Sequence, residues 1–276
     1  AANYSVGLDI GTTKIVAIIG KENEYGKIEV LGIGSSRSLG GHRGVVNNIT
    51  QTIQSIQQAV EQAESDAGMK IGTVTVGIAG QHIRSLQHSD YITRPNSEEV
   101  IGEEDLDTLC NQVYNLVMLP GEEIIHVLPQ EYKVDGQAEI KQPIGMYGGR
   151  LEANFHVVVG QVSSIKNIGR CIKSAGLDLD NITLEPLASA DAVLSQEEKE
   201  AGVALIDIGG GTTEIAVIAL GGIVCDKSVK IAGDVFTNDI IYYMRTQHNL
   251  YVGESTAENI KIQIGSATED LQSPPD

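Results

Sequence analysis

One pattern occurs twice in this chain and limits what the rest can be. VGLDIGTTKIVAI (6–18) and ALIDIGGGTTEIAVI (204–218) each read as an apolar strand ending in Asp-Ile-Gly, a Gly/Thr turn and a second strand. Glycine at such a turn permits φ > 0 and close approach, which leaves backbone N–H groups free to cradle phosphate oxygens. A single copy says no more than a hairpin would. Two copies with Asp at the same place, a poor strand former ending a strand, exceed what hairpin geometry requires. Two such turns facing each other would grip one polyphosphate from both sides. Asp9 and Asp207 would then lie near it, and carboxylates there need a cation between, for which Mg2+ held largely through water is the natural choice. Lys14 can place a positive charge on the phosphates, while Glu214, read as its counterpart, cannot.

The chain has 276 residues, 41% of them hydrophobic and 20% charged, the profile of a folded α/β protein with about two domains. Against 37 Asp plus Glu there are 19 Lys plus Arg, a net charge of −18, so nucleic acid is excluded as a partner. A single nucleotide is not, because it needs only local donors. Cys110, Cys171 and Cys225 are far apart with no CxxC, which excludes a disulfide framework or a zinc site. No segment approaches the ~18 apolar residues of a membrane span and the start lacks a signal-peptide pattern, so a reduced cytoplasmic protein is expected.

Along the chain, strands at 4–10, 14–19 and 27–33 lead to a helix with Ile49, Ile53, Ile56, Val60 and Ala63 on one stripe, capped by Asn47 or Asn48 and stopped by Gly68. A strand at 73–79 follows. From 82 to 160 short strands surround one amphipathic helix at 103–117, which predicts an inserted α+β subdomain. A helix at 163–175, a short strand at 182–184 and a helix at 186–194 precede the second copy of the turn. A strand at 223–231 and helices at 234–248 and 256–264 complete the pattern. The run Glu197, Glu198, Lys199, Glu200 reads as a solvated loop, and Tyr242-Tyr243-Met244 as the buried face of a helix. The histidines are scattered without a metal or triad spacing.

DIGTTK (9–14) and DIGGGTTE (207–214) resemble the phosphate-1 and phosphate-2 motifs of the actin, Hsp70 and sugar-kinase superfamily. VGLDIGTTKIVAIIG (6–20), GGHRGVVNNI (40–49), VGIAGQHI (76–83), EEIIHVLPQEYKVD (122–135) and IGMYGGRLEANFHVV (144–158) resemble the FtsA family of bacterial cell-division proteins, whereas residues 214–268 look more like MreB. The resemblance implies an actin-like (ribonuclease H-like), two-lobed α/β fold with an inserted α+β subdomain, C-terminally truncated. It divides the chain into a first lobe (1–81 and 161–195), an FtsA-type insert (82–160), a second-lobe core (196–233) and a second-lobe helical part (234–276).

It also implies ATP and Mg2+ in a cleft. Gly11, Thr12, Thr13 and Lys14 would lie on one side of the phosphates, Gly209, Gly210, Gly211 and Thr212 on the other, with Asp9 and Asp207 near the metal. Gly233, Glu258 and Lys261 would hold the nucleoside, although Glu258 and Lys261 at i, i+3 are by themselves an ordinary helix ion pair. Glu185, before Pro186, would orient water for at most a slow ATPase; by itself it simply suits a helix N-terminus. The family also implies self-association into filaments, FtsZ and other division proteins as partners, and peripheral membrane attachment through a C-terminal helix absent from this chain. The MreB-like stretch puts an MreB-type shape filament beside that reading. A small-molecule kinase would share the phosphate turns, but needs a substrate pocket for which the sequence carries no signature.

Overall fold

The computed structural model describes residues 4–268 apart from 43–44, 81 and 220–221. The first turn motif forms the hairpin β1 (Tyr4–Ile10) and β2 (Lys14–Glu22), with Leu8 opposite Ala17 and Asp9 opposite Val16. Adding β3 (Ile28–Arg37), β6 (Thr73–Ile78) and β11 (Asp178–Leu184) gives a five-stranded sheet in the order β11-β6-β1-β2-β3. The β6 strand runs parallel to both β1 and β11. A short pair, β4 (Gly41–His42) and β5 (Val45–Val46), leads into α1 (Ile49–Ala67).

Asn48 caps α1 by accepting from the Gln51 N–H at 3.0 Å, and Gly68 ends it at φ 66. The helix sits unusually close to β3. A Cβ on Gly34 would lie 1.8 Å from the Ala59 carbonyl oxygen, and one on Gly32 2.5 Å from that of Ala63. Two glycines in a strand, costly for a strand by themselves, are thus what lets the helix backbone approach. Val6, Leu8, Ile15, Ala17, Ile19, Ile56, Val74 and Val76 fill the layer between them.

The chain leaves β6 to build a four-stranded antiparallel sheet, β7 (Ile83–Thr93), β10 (Arg150–Gln161), β8 (Glu122–Val134) and β9 (Gln137–Ile140) in that order, covered by α2 (Glu103–Tyr114). This inserted subdomain has its own core around Leu109, Leu151, Phe155 and Val157. The chain returns through α3 (Val162–Ser174), β11 and α4 (Glu185–Val193). Next comes α5 (Gln196–Ala201), at the run expected to be a solvated loop. Ser195 Oγ accepts from the Glu198 N–H at 3.2 Å while Glu198 Oε2 accepts from the Ser195 N–H at 2.8 Å, a reciprocal cap that makes the charged run a short helix.

The second turn motif forms β12 (Val203–Ile208) and β13 (Thr213–Ala219), and β14 (Gly222–Val229) completes a three-stranded antiparallel sheet. Two helices follow, α6 (Gly233–His248) and α7 (Glu254–Ile264). The tyrosines of α6 do not face inward: Tyr242 is 69% and Tyr243 57% exposed. Only Thr237 of that helix is buried, because α6 packs along its first turns against the second turn motif and α7. Among the described residues no helix is long and apolar enough to cross a membrane.

Candidate functional site

Both turns are closed by the same backbone bond. The Gly11 N–H donates to the Lys14 carbonyl at 3.1 Å, and the Gly209 N–H to the Thr212 carbonyl at 2.9 Å. Asp207 pairs with Glu214 in the second hairpin as Asp9 pairs with Val16 in the first, so the two loops have equal length. This corrects one sequence expectation. The structural counterpart of Lys14 is Thr212, and that of Glu214 is Val16; aligning the two Thr-Thr pairs had shifted the comparison by two residues. A second correction concerns the glycines: none of Gly11, Gly209, Gly210 and Gly211 has a positive φ. Their use is close approach.

That approach is between the turns themselves. A Cβ on Gly210 would lie 2.2 Å from Thr13 Cγ2, and one on Gly211 2.6 Å from Thr12 Oγ1. Since Thr12 corresponds to Gly210 and Thr13 to Gly211, exchanging the two turns maps this contact set onto itself. The two lobes meet here about a local two-fold axis, as in an isologous interface.

Beside the axis lies a cavity of about 560 Å³, lined by Thr12 and Thr13 from one turn, Gly209 and Gly210 from the other, Arg37, Ser38 and Gly41 from the end of β3 and its loop, and Gly233, Asp234, Thr237, Asn238, Glu254, Ser255, Glu258 and Lys261 from α6 and α7. The Gly233 and Asp234 N–H groups donate to the Gly209 and Gly210 carbonyls at 3.1 and 2.8 Å, which fixes the start of α6 on the second turn. Lys261 Nζ donates to the Gly233 carbonyl at 3.1 Å, to Thr237 Oγ1 at 3.1 Å and to Glu258 Oε2 at 2.7 Å. The Lys261 hydrogen bond, then that of Thr237, holds the Glu258 carboxyl below its usual range. Glu258 and Lys261 are therefore part of a cross-helix network at the cavity wall, more than an isolated helix pair.

Lys14 is exposed at the start of β2, opposite Arg37, and it is Arg37 that lines the cavity. Lys14 acts instead on Asp9, lowering a carboxyl that desolvation, and then Asp207, push up. Glu185 opens α4 and packs over Gly77, where an added Cβ would lie 3.1 Å from its Cγ. With Gly11, Thr12 and Thr212 it lines a small cavity of about 50 Å³ behind the turns. Burial, followed by the charges of Asp9, Glu214 and Asp207, pushes the Glu185 carboxyl up to about 8. Glu214 is buried and raised by desolvation, against hydrogen bonds from Ser228 and Thr212; Ser228 Oγ donates to its Oε1 at 2.9 Å.

The ionisation of Asp9, Glu185 and Glu214, drawn from both lobes, is thus opposed at the floor of the cleft by burial and, in part, by the charge of Asp207. Among the described residues no three Asp, Glu, His or Cys converge closely enough to ligate an ion by themselves. Such a donor set suits a divalent cation that keeps several waters. Reasoning from the sequence singled out Asp9, Glu185, Asp207, Glu258 and Lys261. It missed Arg37 and Thr237, which no local pattern marks because they reach the cavity only through the packing of β3 and α6.

The MreB/Mbl protein family matches residues 153–274, starting well upstream of 214, and the SHS2 domain inserted in FtsA matches residues 80–159. The cell division protein FtsA of Pseudomonas aeruginosa is 42% identical over 266 residues, 96% of this chain and 62% of that protein. The chain therefore spans about three fifths of the length of that relative. Among solved structures, the PilM-PilN type IV pilus biogenesis complex superposes with a TM-score of 0.65 at 15% identity, over 94% of this chain and 69% of the other. MreB5 of Spiroplasma citri bound to ADP superposes with a TM-score of 0.52 at 19% identity, over 98% of this chain and 65% of the other. At those identities the likeness is one of fold alone. Across almost its whole length the chain is thus similar to part of the curated relatives named FtsA, its insert matches the SHS2 domain inserted in FtsA, and its fold is actin-like.

Proposed function

We propose that this chain is the nucleotide-binding part of an actin-like division protein, with MgATP in the cleft between its two turns. The observation that carries the reading is the mutual packing of Thr12 and Thr13 against Gly210 and Gly211 beside a cavity walled by α6 and α7. Backbone N–H groups of the turns and the Arg37 guanidinium supply donors for phosphate oxygens, and the Gly233, Thr237, Glu258 and Lys261 network supplies a polar seat for the nucleoside. Mg2+, held largely through water by Asp9 and Asp207, would neutralise charge that the carboxylate cluster cannot tolerate alone. In that setting Glu185 accepts or holds a proton near an attacking water, consistent with at most slow hydrolysis. That MreB5 of Spiroplasma citri, a fold neighbour, is described bound to ADP and to AMPPNP is in keeping with a nucleotide ligand.

The domain division given above, a first lobe of 1–81 and 161–195, an insert of 82–160, and a second lobe from 196, goes with this reading. The ligand then works as a switch: it touches both lobes, so it binds their closed arrangement better than an open one and shifts which surfaces meet a neighbouring subunit. FtsZ linkage, filament formation and attachment at the inner membrane face at the division site belong to the same proposal, supported by the FtsA relatives. The MreB/Mbl match over 153–274 favours a second reading, a shape-determining filament, which septal against lateral localisation of the full-length protein would separate.

Calorimetry with ATP, with and without Mg2+, tests the cleft. The expected result is one site whose affinity falls when Mg2+ is chelated. Equal, negligible heats for MgATP and MgADP, with no rise in melting temperature, would defeat the assignment.

A further inference from the structure

The inserted subdomain is joined covalently to the first lobe at both ends, leaving after β6 and returning into α3. Its side chains, however, also hydrogen-bond to the second lobe. Asp226, on β14, accepts from Ser85 Oγ of β7, and its Oδ1 lies 3.0 Å from Nε2 of His156 of β10. Gln87 Nε2 is 3.1 Å from His156 Nδ1 and donates to the Val224 carbonyl at 2.7 Å. Gln130 of β8 donates to the Ile223 carbonyl. An amide N–H on Nδ1 makes that nitrogen the acceptor, so Nε2 carries the proton and donates to Asp226.

His156 is 1% exposed and the Asp226 side chain 13%, so these groups have exchanged water for one another. Burial alone would push Asp226 up, but hydrogen bonds from His156 and then Ser85 outweigh it and hold the carboxyl below its usual range. The three residue types invite a catalytic reading, which the connectivity excludes. Ser85 bonds the carboxylate and not the imidazole, so nothing draws the hydroxyl proton toward a base. Asp226 lies two residues from Ser228 on β14, on the same face, and Ser228 holds Glu214 of the carboxylate cluster.

We propose that Asp226, clasped by Ser85 and His156, is a latch that holds the second lobe against the first through the inserted subdomain, so that the lobes part only when it opens. The latch does not depend on what the cleft binds. Because β14 is hydrogen-bonded along its length to β13, which continues directly from the second turn, a rigid movement of that turn carries β14 with it and displaces β14 relative to β7 and β10. Removing Ser85 or Asp226 weakens the link without altering a residue of either turn.

The test is a lobe-to-lobe distance in the nucleotide-free 276-residue chain. Spin labels go on Tyr25→Cys and Tyr251→Cys, exposed residues of the two lobes, with Cys110 and Cys225 replaced by Ser and the buried Cys171 retained. The parent is expected to give one narrow distance distribution. Asp226→Asn and Ser85→Ala should each broaden it at least about twofold, and amide exchange in β7 and β14 should accelerate about tenfold with that in α1 unchanged. If Asp226→Asn unfolds the chain, Ser85→Ala, which removes one hydroxyl, decides. Distributions as narrow as the parent's in every folded variant would overturn the proposal. Because no nucleotide is present, failure here leaves the cleft reading standing, and failure of calorimetry leaves the latch standing.

Discussion

The turn at 11–14 and the turn at 209–212 are closed by the same hydrogen bond, yet the first carries Thr12 and Thr13 where the second has Gly210 and Gly211. One loop supplies bulk and the other supplies room, so the two backbones meet at a distance that two threonine-bearing loops could not reach. Their anchoring differs as well. The first turn is held by the Ser38 N–H on the Thr13 carbonyl at 3.0 Å; the second is held by Thr213 Oγ1 on the Ile231 carbonyl at 2.7 Å and by the first N–H groups of α6. The sheets behind them also differ. The first has five strands with α1 pressed onto β2 and β3, while the second has three and leaves Ile206 and Ile208 on β12 58% and 63% exposed. A duplicated motif has thus kept its backbone while its side chains took complementary roles.

The most severe way to break that complementarity is Gly210→Val, which sets a branched side chain where Thr13 Cγ2 already stands. MgATP affinity should fall by at least about 100-fold, ~2.7 kcal/mol in calorimetry. Adding Thr13→Gly should recover part of it, and a double-mutant cycle with no coupling would show that the two turns do not act as a pair.

An effect of similar size is expected from the acidic floor. The Glu185 carboxyl keeps its proton to about pH 8 in the folded chain against an ordinary 4.5. Between those values the native state binds more protons than the unfolded one, so stability falls as pH rises from about 4.5 to about 8 and is level above. Glu185→Gln removes that slope and should stabilise the chain by about 2–4 kcal/mol at pH 8, with little change at pH 4. Denaturant titrations at the two pH values check it, and a variant equally sensitive to pH would place the raised proton affinity elsewhere.

The charges sharpen the comparison further. Arg37→Ala should weaken MgATP binding about tenfold and more than Lys14→Ala does, because Arg37 lines the cavity and Lys14 does not. The opposite ranking would return the phosphate contact to Lys14. Least in size is Thr213→Val, which removes the bond to the Ile231 carbonyl and should cost about 1 kcal/mol in denaturant unfolding. No change in the midpoint would mean that the N–H groups of α6 alone secure the second turn.

Strand alternation around each Asp-Ile-Gly is a local property, as are the Asn48 cap and the Gly68 stop, so the hairpins and α1 could be placed from residue order. The α5 helix could not, although Ser195 and Glu198 stand at capping-box spacing, because the charge run between them looked like solvent-exposed loop. The exposure of Tyr242 and Tyr243 depends on which side of α6 meets α7, and the helical pattern alone cannot tell a buried aromatic face from a free one. The equivalence of Lys14 with Thr212 required the cross-strand register, since two Thr-Thr pairs offered a tempting wrong alignment.

Residue order by itself determined that this chain has two strand-turn-strand units with an acid before each turn, an α+β insert between them and a net charge of −18. Those follow from periodicity and composition, which act over a few residues or over the whole chain. Only the tertiary structure decided that the turns meet about a two-fold axis, that Arg37 and Thr237 reach the cavity, and that Asp226 bridges to Ser85 and His156 across the lobes. Contacts between residues 141 positions apart, such as Ser85 and Asp226, leave no trace in local sequence, because close packing creates them only after the strands that carry them are in place.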